Sequence, residues 1–286
     1  MNIIKLLIKQ KTMVCIVIAA VLVFVFAVKI AVKVYAKTEG EKLTVIMYHS
    51  VLKDESQHGE YVISPVELEK DLKYLNDNGY TTVTSGELID FVYSKKPLPD
   101  KPVMLTFDDG SLNNYTYVLP LLEKYNMKAV FSVVGSFCDR EQTQTQRSDA
   151  YSYINWDEVK ALYQSGKVDI ACHSYNFHSL SERKGAAIKD GESYKEYRSA
   201  FLSDTNKFLN EAEEKAGTVP DIYAYPYGFM SEESKNLVKT CGFKISLICE
   251  ERVNTVTSDP SSLYGLGRFN RSGSVTTEEF MKKVGL

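Results

Sequence analysis

Residues 102–110 read PVMLTFDDG, an apolar strand-forming run that stops at two adjacent carboxylates and a glycine. Such a strand delivers its last residues to the carboxyl edge of the sheet, where α/β folds keep their chemistry. Neighbours in a regular strand point to opposite faces. Here the strand is ending, and Gly110 lets the backbone turn sharply, so Asp108 and Asp109 can both reach one pocket.

From Leu43 onward the chain repeats this theme. Strands are expected over residues 43–48, 81–84, 103–107, 129–134, 168–173, 222–225 and 244–249. Helical segments alternate with them. Ser64-Pro65-x-Glu67 opens one, with Ser as N-cap and Pro in the first turn, and Asn78-Gly79 closes it. Others are expected over residues 85–93, from the DDG turn to Tyr125, and over 155–165, 193–216, 231–240 and 276–284. The alternation implies an α/β fold with a parallel sheet and right-handed crossovers. About seven parallel strands suit a distorted (β/α) barrel better than a complete eightfold one. Residues 43–286 are read as one catalytic domain. Residues 140–150 are polar and expected to form an exposed loop.

The first part of the chain is different. Residues 12–28, TMVCIVIAAVLVFVFAV, carry no charge, and Ile30, Ala31 and Val32 extend the run beyond Lys29. A transmembrane helix needs ~20 apolar residues, and a lysine near its end can snorkel. Residues 1–36 are therefore expected to be a cytoplasmic stub and a transmembrane signal anchor, with 37–42 a polar linker. Lys5, Lys9 and Lys11 favour a cytoplasmic N-terminus, although Lys29, Lys33 and Lys37 weaken the asymmetry. The rival is a cleaved signal peptide ending at Val34-Tyr35-Ala36. Either way the rest of the chain is expected outside the cell. Setting aside the six lysines of the first 37 residues leaves 28 basic against 37 acidic groups, a net of −9. That balance argues against nucleic acid as a partner and leaves a neutral polysaccharide open. The five cysteines (Cys15, Cys138, Cys172, Cys241, Cys249) show no metal spacing, and Cys172 reads as a small buried strand residue.

Of the four histidines, three sit at informative places. His173 ends the strand VDIACH, and His178 follows five residues later. Two imidazoles and one carboxylate form a ligand set for zinc or a similar divalent ion. The other carboxylate of the Asp pair is then free to act as general base. His49 ends the strand in VIMYHSV and reads as a general acid, since imidazole titrates near working pH. His58, in the polar stretch QHGE, is expected at the surface. Tyr225-Pro226-Tyr227-Gly228 reads as a tight turn, which can aim backbone N–H groups at a developing oxyanion.

TFDDG, then HSxxxH, then YPYG, together resemble the polysaccharide deacetylase family, carbohydrate esterase family 4, over residues 43–286. The leading MYHSV resembles its branch of exported poly-β-1,6-N-acetylglucosamine deacetylases. The resemblance implies a distorted (β/α) barrel that hydrolyses the N-acetyl groups of an N-acetylglucosamine polymer. It implies Asp108 as general base, Asp109, His173 and His178 as metal ligands, His49 as general acid, and Tyr227 as the residue whose N–H holds the oxyanion. One divalent ion is implied, zinc in the first place, with cobalt and nickel also suiting this donor set. Peptidoglycan is the alternative polymer. A non-catalytic glycan-binding module is the alternative of another class, but no ligand or base is missing. Tyr175, Tyr227 and Phe229 are the aromatic residues nearest the motifs and candidates for stacking on sugar rings.

Three departures from the commoner branch matter. Its histidines are four apart, so the loop here must bulge by one residue. Its base-bracing arginine near YPYG is replaced by Ala224 and Tyr225, which leaves Arg268 or Arg271 of GLGRFNRSG to brace Asp108. Its C-terminal Leu-x-x-His is absent, so the acid role rests on His49.

Overall fold

The computed structural model describes Met13, residues 16–26 and residues 40–286. The chain divides into two compact units, Met1–Glu41 and Lys42–Leu286. In the first, residues 16–26 are helical. Among the described residues no helix is long and apolar enough to cross a membrane. The expected span, residues 12–28, and the expected linker, residues 37–42, each lie partly outside the described residues.

The second unit contains eleven strands: β1 (Glu41–Tyr48), β2 (Ser50–Val51), β3 (Val62–Ile63), β4 (Thr81–Thr82), β5 (Pro102–Phe107), β6 (Ala129–Val133), β7 (Val168–Cys172), β8 (Ile222–Ala224), β9 (Ile245–Leu247), β10 (Asn254–Val256) and β11 (Phe269–Asn270). β1, β5, β6, β7, β8 and β9 pair in that order, every pair parallel. On the side away from β5, β1 pairs with β10 and, in parallel, with β11. β4 adds in parallel to β5, so the seven expected strands all join this sheet, and β11 is an addition to them. Leu266 bridges to Leu247 of β9, and β11 then pairs with Ile46 and Met47 of β1. Residues 266–270 thus carry the sheet round from β9 towards β1, giving a strongly curved, barrel-like sheet.

Strand periodicity divides the apolar residues between two layers. Leu43, Val45, Met104, Val130, Ala171, Ile222, Ala224, Ile245 and Leu247 form the inner cluster. Ile46, Tyr48, Leu105, Phe107, Phe131, Ile170, Cys172 and Tyr223 pack outward against the helices. The same parity decides where the chemistry goes. Counting by twos from the inner residues leads to His49 beyond β1, Asp108 beyond β5 and His173 beyond β7. All three follow the last paired positions of their strands.

The helices begin where their caps dictate. Ser64, Asn155, Ser193 and Thr276 each accept an N–H from three residues on, and Glu67, Glu158, Glu196 and Glu279 return a bond to the cap. Each such cap stabilises its helix by about 1 kcal/mol. The expected loop over residues 140–150 is different in part. Helix Gly135–Glu141 runs into it, and a bidentate Arg147–Glu158 pair at 2.7 Å pins its far end. β10 and β11, with three and two residues, lack the length for a periodic signal.

Candidate active site

A cleft of about 710 Å³ opens at the carboxyl ends of β1, β5, β7 and β8, and His49, Asp108, Asp109, His173, His178 and Tyr227 all line it. Residues that are 178 positions apart in the chain meet here because parallel strands end on the same side. The backbone is strained at this edge. Asp109 (φ 68°), Ser174 (φ 72°) and Tyr227 (φ 57°) all occupy the left-handed region without being glycine. Such residues cost about 1–3 kcal/mol each and cluster at functional sites. At Gly228 (φ 72°) a Cβ would lie 2.8 Å from the Cβ of Cys249, so this turn position accepts only glycine.

Asp109, His173 and His178 converge. The Oδ1 atom of Asp109 lies 3.5 Å from His173 Nε2 and 3.0 Å from His178 Nε2. One ligand atom from each residue falls within 4.8 Å of the other two. The His173 tautomer fits a metal. His173 Nδ1 lies 2.8 Å from the Ala224 carbonyl oxygen and must donate to it. Its Nε2 therefore carries a lone pair, and faces the carboxylate. A hydrogen-bonded rear nitrogen is the usual arrangement of a metal-binding imidazole. His178 Nδ1 lies 3.2 Å from the Tyr227 hydroxyl, which can donate or accept. Burial alone would raise the Asp109 carboxyl, but its interactions with His173 and His178 hold it well below the usual range. The donor set, orientation and spacing fit one divalent ion.

Asp108 is buried and faces a different partner. Its Oδ1 accepts from Arg268 Nη1 at 2.8 Å. Arg268 is itself fully buried and is fixed by donation from Nε to the Ile248 carbonyl at 3.1 Å and from Nη1 to Thr106 Oγ1 at 3.2 Å. Burial pushes the Asp108 carboxyl up, but the Arg268 charge and hydrogen bond, together with His173 and His49, outweigh it and pull the group down to about 2. Of the two expected braces, then, Arg268 is the one. Arg271 instead forms a separate buried pair with Asp71, Nε to Oδ2 at 2.8 Å and Nη2 to Oδ1 at 3.1 Å. Tyr48 and Thr277 also donate to Asp71.

His49 lies between these groups and Tyr61. Burial lowers its pKa, while the Asp108 and Asp109 charges act in the opposite direction. Its Nδ1 is buried and makes no hydrogen bond. Tyr61 packs edge-on against the ring at 4.8 Å. Tyr61, half exposed and lining the cleft, is a residue that sequence reasoning missed, since its loop carries no motif. Tyr227 is 42% exposed at the cleft. Tyr175 turns away and donates to Asp139 at 2.6 Å, and neither it nor Phe229 lines the cleft. His58 is not at the surface as expected: it is half-buried, with Nε2 2.8 Å from the Leu52 carbonyl oxygen. Cys172 is fully buried, as expected.

Comparisons with known proteins agree with this geometry. A family model described as "Polysaccharide deacetylase" matches residues 95–246, more than half of the chain. A poly-β-1,6-N-acetyl-D-glucosamine N-deacetylase of Escherichia coli (strain K12) is 24% identical over 258 residues, covering 84% of this chain and 38% of that protein. The chain thus spans under two-fifths of that relative's length. A protein of the same name from Staphylococcus aureus (strain MSSA476) is 25% identical over 202 residues, 70% of this chain and 65% of that one. Among solved structures, a de-N-acetylase from Aggregatibacter actinomycetemcomitans superposes with a TM-score of 0.72 at 28% identity, covering 84% of this chain and all of that one. IcaB from Ammonifex degensii gives 0.68 at 27% identity, covering 86% and 97%.

Proposed function

The chain belongs to the polysaccharide deacetylase family of N-deacetylating hydrolases, and from that premise we propose that it removes N-acetyl groups from poly-β-1,6-N-acetylglucosamine with one divalent ion, zinc in the first place. The observation that carries the reading is the pairing of two carboxylates with opposite surroundings. Asp109 faces the Nε2 atoms of two imidazoles, and its neighbour Asp108 faces a buried guanidinium. Adjacent residues thus divide into a ligand and a base. The named relatives support the polymer.

In this reading Asp109, His173 and His178 hold the ion. When bound, it polarises the acetyl carbonyl and acidifies the attacking water. Asp108, ionised at any working pH, takes a proton from that water as its oxygen bonds to the acetyl carbon. The Tyr227 N–H, presented by the strained turn, donates to the carbonyl oxygen as negative charge collects there. His49 gives its proton to the sugar nitrogen. The C–N bond breaks, leaving acetate and a free amine. Burial lowers the His49 pKa, which makes its imidazolium a ready donor, and the Asp108 and Asp109 charges act in the opposite direction.

The N-terminal run supports a further part of the proposal: residues 12–28 anchor the chain as a single pass, with the catalytic unit on the extracellular side. An N-terminal sequence of the mature protein beginning at Lys37 would replace the anchor with a cleaved leader. Acetate release tests the activity. Poly-β-1,6-N-acetylglucosamine oligomers and peptidoglycan are assayed side by side, with and without chelator, beside an Asp108→Asn variant. Chelator-sensitive release from the β-1,6 oligomers, absent in the variant, is expected. Release from peptidoglycan alone would change the substrate, and release from neither would favour a glycan-binding module.

A further inference from the structure

The loop between the two metal-site histidines has one residue more than the commoner spacing of its family, and the extra length has to be held. Ser174 takes a left-handed conformation directly after His173. The next two N–H groups, of Tyr175 and Asn176, both point at one carboxylate. Asp204 Oδ2 accepts from Tyr175 N–H at 2.8 Å, and Oδ1 from Asn176 N–H at 2.7 Å. Asp204 is only 8% exposed. It sits on the helix Tyr194–Glu211, on the buried stripe formed by Tyr197, Phe201, Thr205 and Phe208. Phe177, next to His178, packs on Phe201 of the same stripe with ring centroids 6.4 Å apart. The helix therefore grips the loop twice, at its bulge by a carboxylate and at its end by an aromatic contact.

We propose that Asp204 is a positioning residue for the metal centre: by holding two successive N–H groups of the His173–His178 loop, it sets the placement of His178 and with it the affinity for the divalent ion. This rests on the metal-site reading given above. The physical reason is local. A buried N–H that loses its acceptor seeks another, and residues 174–176 can supply one only by changing the bulge. His178 is two residues past the bulge, so a change there moves its Nε2 relative to Asp109. Asp204 touches neither ligand nor substrate. Its effect travels through the backbone, as partners behind metal ligands commonly act, with losses of 10–100-fold in affinity.

The test is metal binding rather than turnover. The full chain is stripped with chelator and titrated with Co²⁺ and Zn²⁺ by calorimetry, and the visible absorption of the Co²⁺ form is recorded. Asp204→Ala is expected to weaken Co²⁺ binding roughly 10–100-fold and alter the absorption bands. Asp204→Asn, which keeps the shape and one acceptor oxygen, should fall between it and the unaltered protein. Asp71→Asn removes a buried carboxylate of similar burial elsewhere, and should leave Co²⁺ affinity unchanged though it lowers the melting temperature. If Asp204→Ala fails to fold, Asp204→Asn decides. Affinity and spectrum equal to those of the unaltered protein in whichever Asp204 variant folds would overturn the proposal, as would an equal loss in Asp71→Asn. Failure of the unaltered protein to bind either ion would overturn the metal reading itself.

Discussion

Replacing Arg268 with Met removes the only charge that neutralises Asp108 through a direct contact among the described residues. With Arg268 in place the Asp108 carboxyl stands at about 2 instead of 3.8, a difference of about 2 kcal/mol in favour of the ionised form. That figure is net of burial, which opposes it; Arg268 is the largest of the lowering contributions, with His173 and His49 adding to it. Asp108 is 2% exposed, and solvent will not take over the role. Breaking a buried pair by deleting one partner costs ~3–5 kcal/mol, which for a unit of this size lowers the melting temperature by roughly 6–20 °C. The pH dependence should also reverse. In the unaltered, chelated protein the Asp108 contribution to stability is present above the ordinary carboxylate pKa and is lost as pH falls towards 2. In Arg268→Met burial prevails and the folded-state pKa rises above 3.8. The variant should then gain stability as pH falls from neutral towards 4. Thermal unfolding of chelated protein between pH 3 and 8 reads both effects, and acetate release over the same range should show the acid limb displaced upward. Arg268→Lys keeps the charge and loses the bond to Ile248, so it should fall between. A melting temperature within about 2 °C of the unaltered protein, with the same slope against pH, would refute the idea that this pair sets the base.

Two further outcomes follow from the same geometry. His49→Gln should lower turnover of N-acetylglucosamine oligomers by about 10²–10⁴-fold but leave hydrolysis of 4-nitrophenyl acetate far less affected, because that leaving group departs without a proton; equal losses on both would remove His49 from the acid role. Asp71→Asn leaves Arg271 buried and unpaired and should cost ~3–5 kcal/mol in denaturant unfolding, while the KM for the oligomer stays unchanged.

The parts of this molecule that were legible in its sequence are those governed by short-range periodicity. Alternating strands and helices predict a parallel sheet, and period two within each strand predicts which residue reaches the inner face. Asp108, His49 and His173 sit one step past strand ends, so local pattern was enough to bring them to one cleft. The choice between Arg268 and Arg271 was not of that kind. They lie three residues apart, flank the two-residue strand β11, and are both fully buried. One meets Asp108 and the other Asp71 only because of how that short strand seats beside β1.

Asp71 and Asp204 point to a signal that was present and unread. Asp71 interrupts the buried stripe of Leu68, Leu72 and Leu75, and Asp204 that of Phe201, Thr205 and Phe208. A carboxylate on the apolar stripe of a helix cannot stay ionised there without partners. Each such acid therefore predicts a buried donor, and both have one: Arg271 for Asp71, and the loop N–H groups for Asp204. What the stripe cannot supply is the partner's identity. Arg271 lies 200 residues from Asp71 in sequence, and the donors to Asp204 are main-chain groups that no side-chain pattern reveals. The interruption itself, however, separates helices that merely cover the sheet from helices that hold something in place. In this chain both interrupted helices hold segments leading to the cleft: one the 268–277 segment that carries the base's arginine, the other the loop that carries His178.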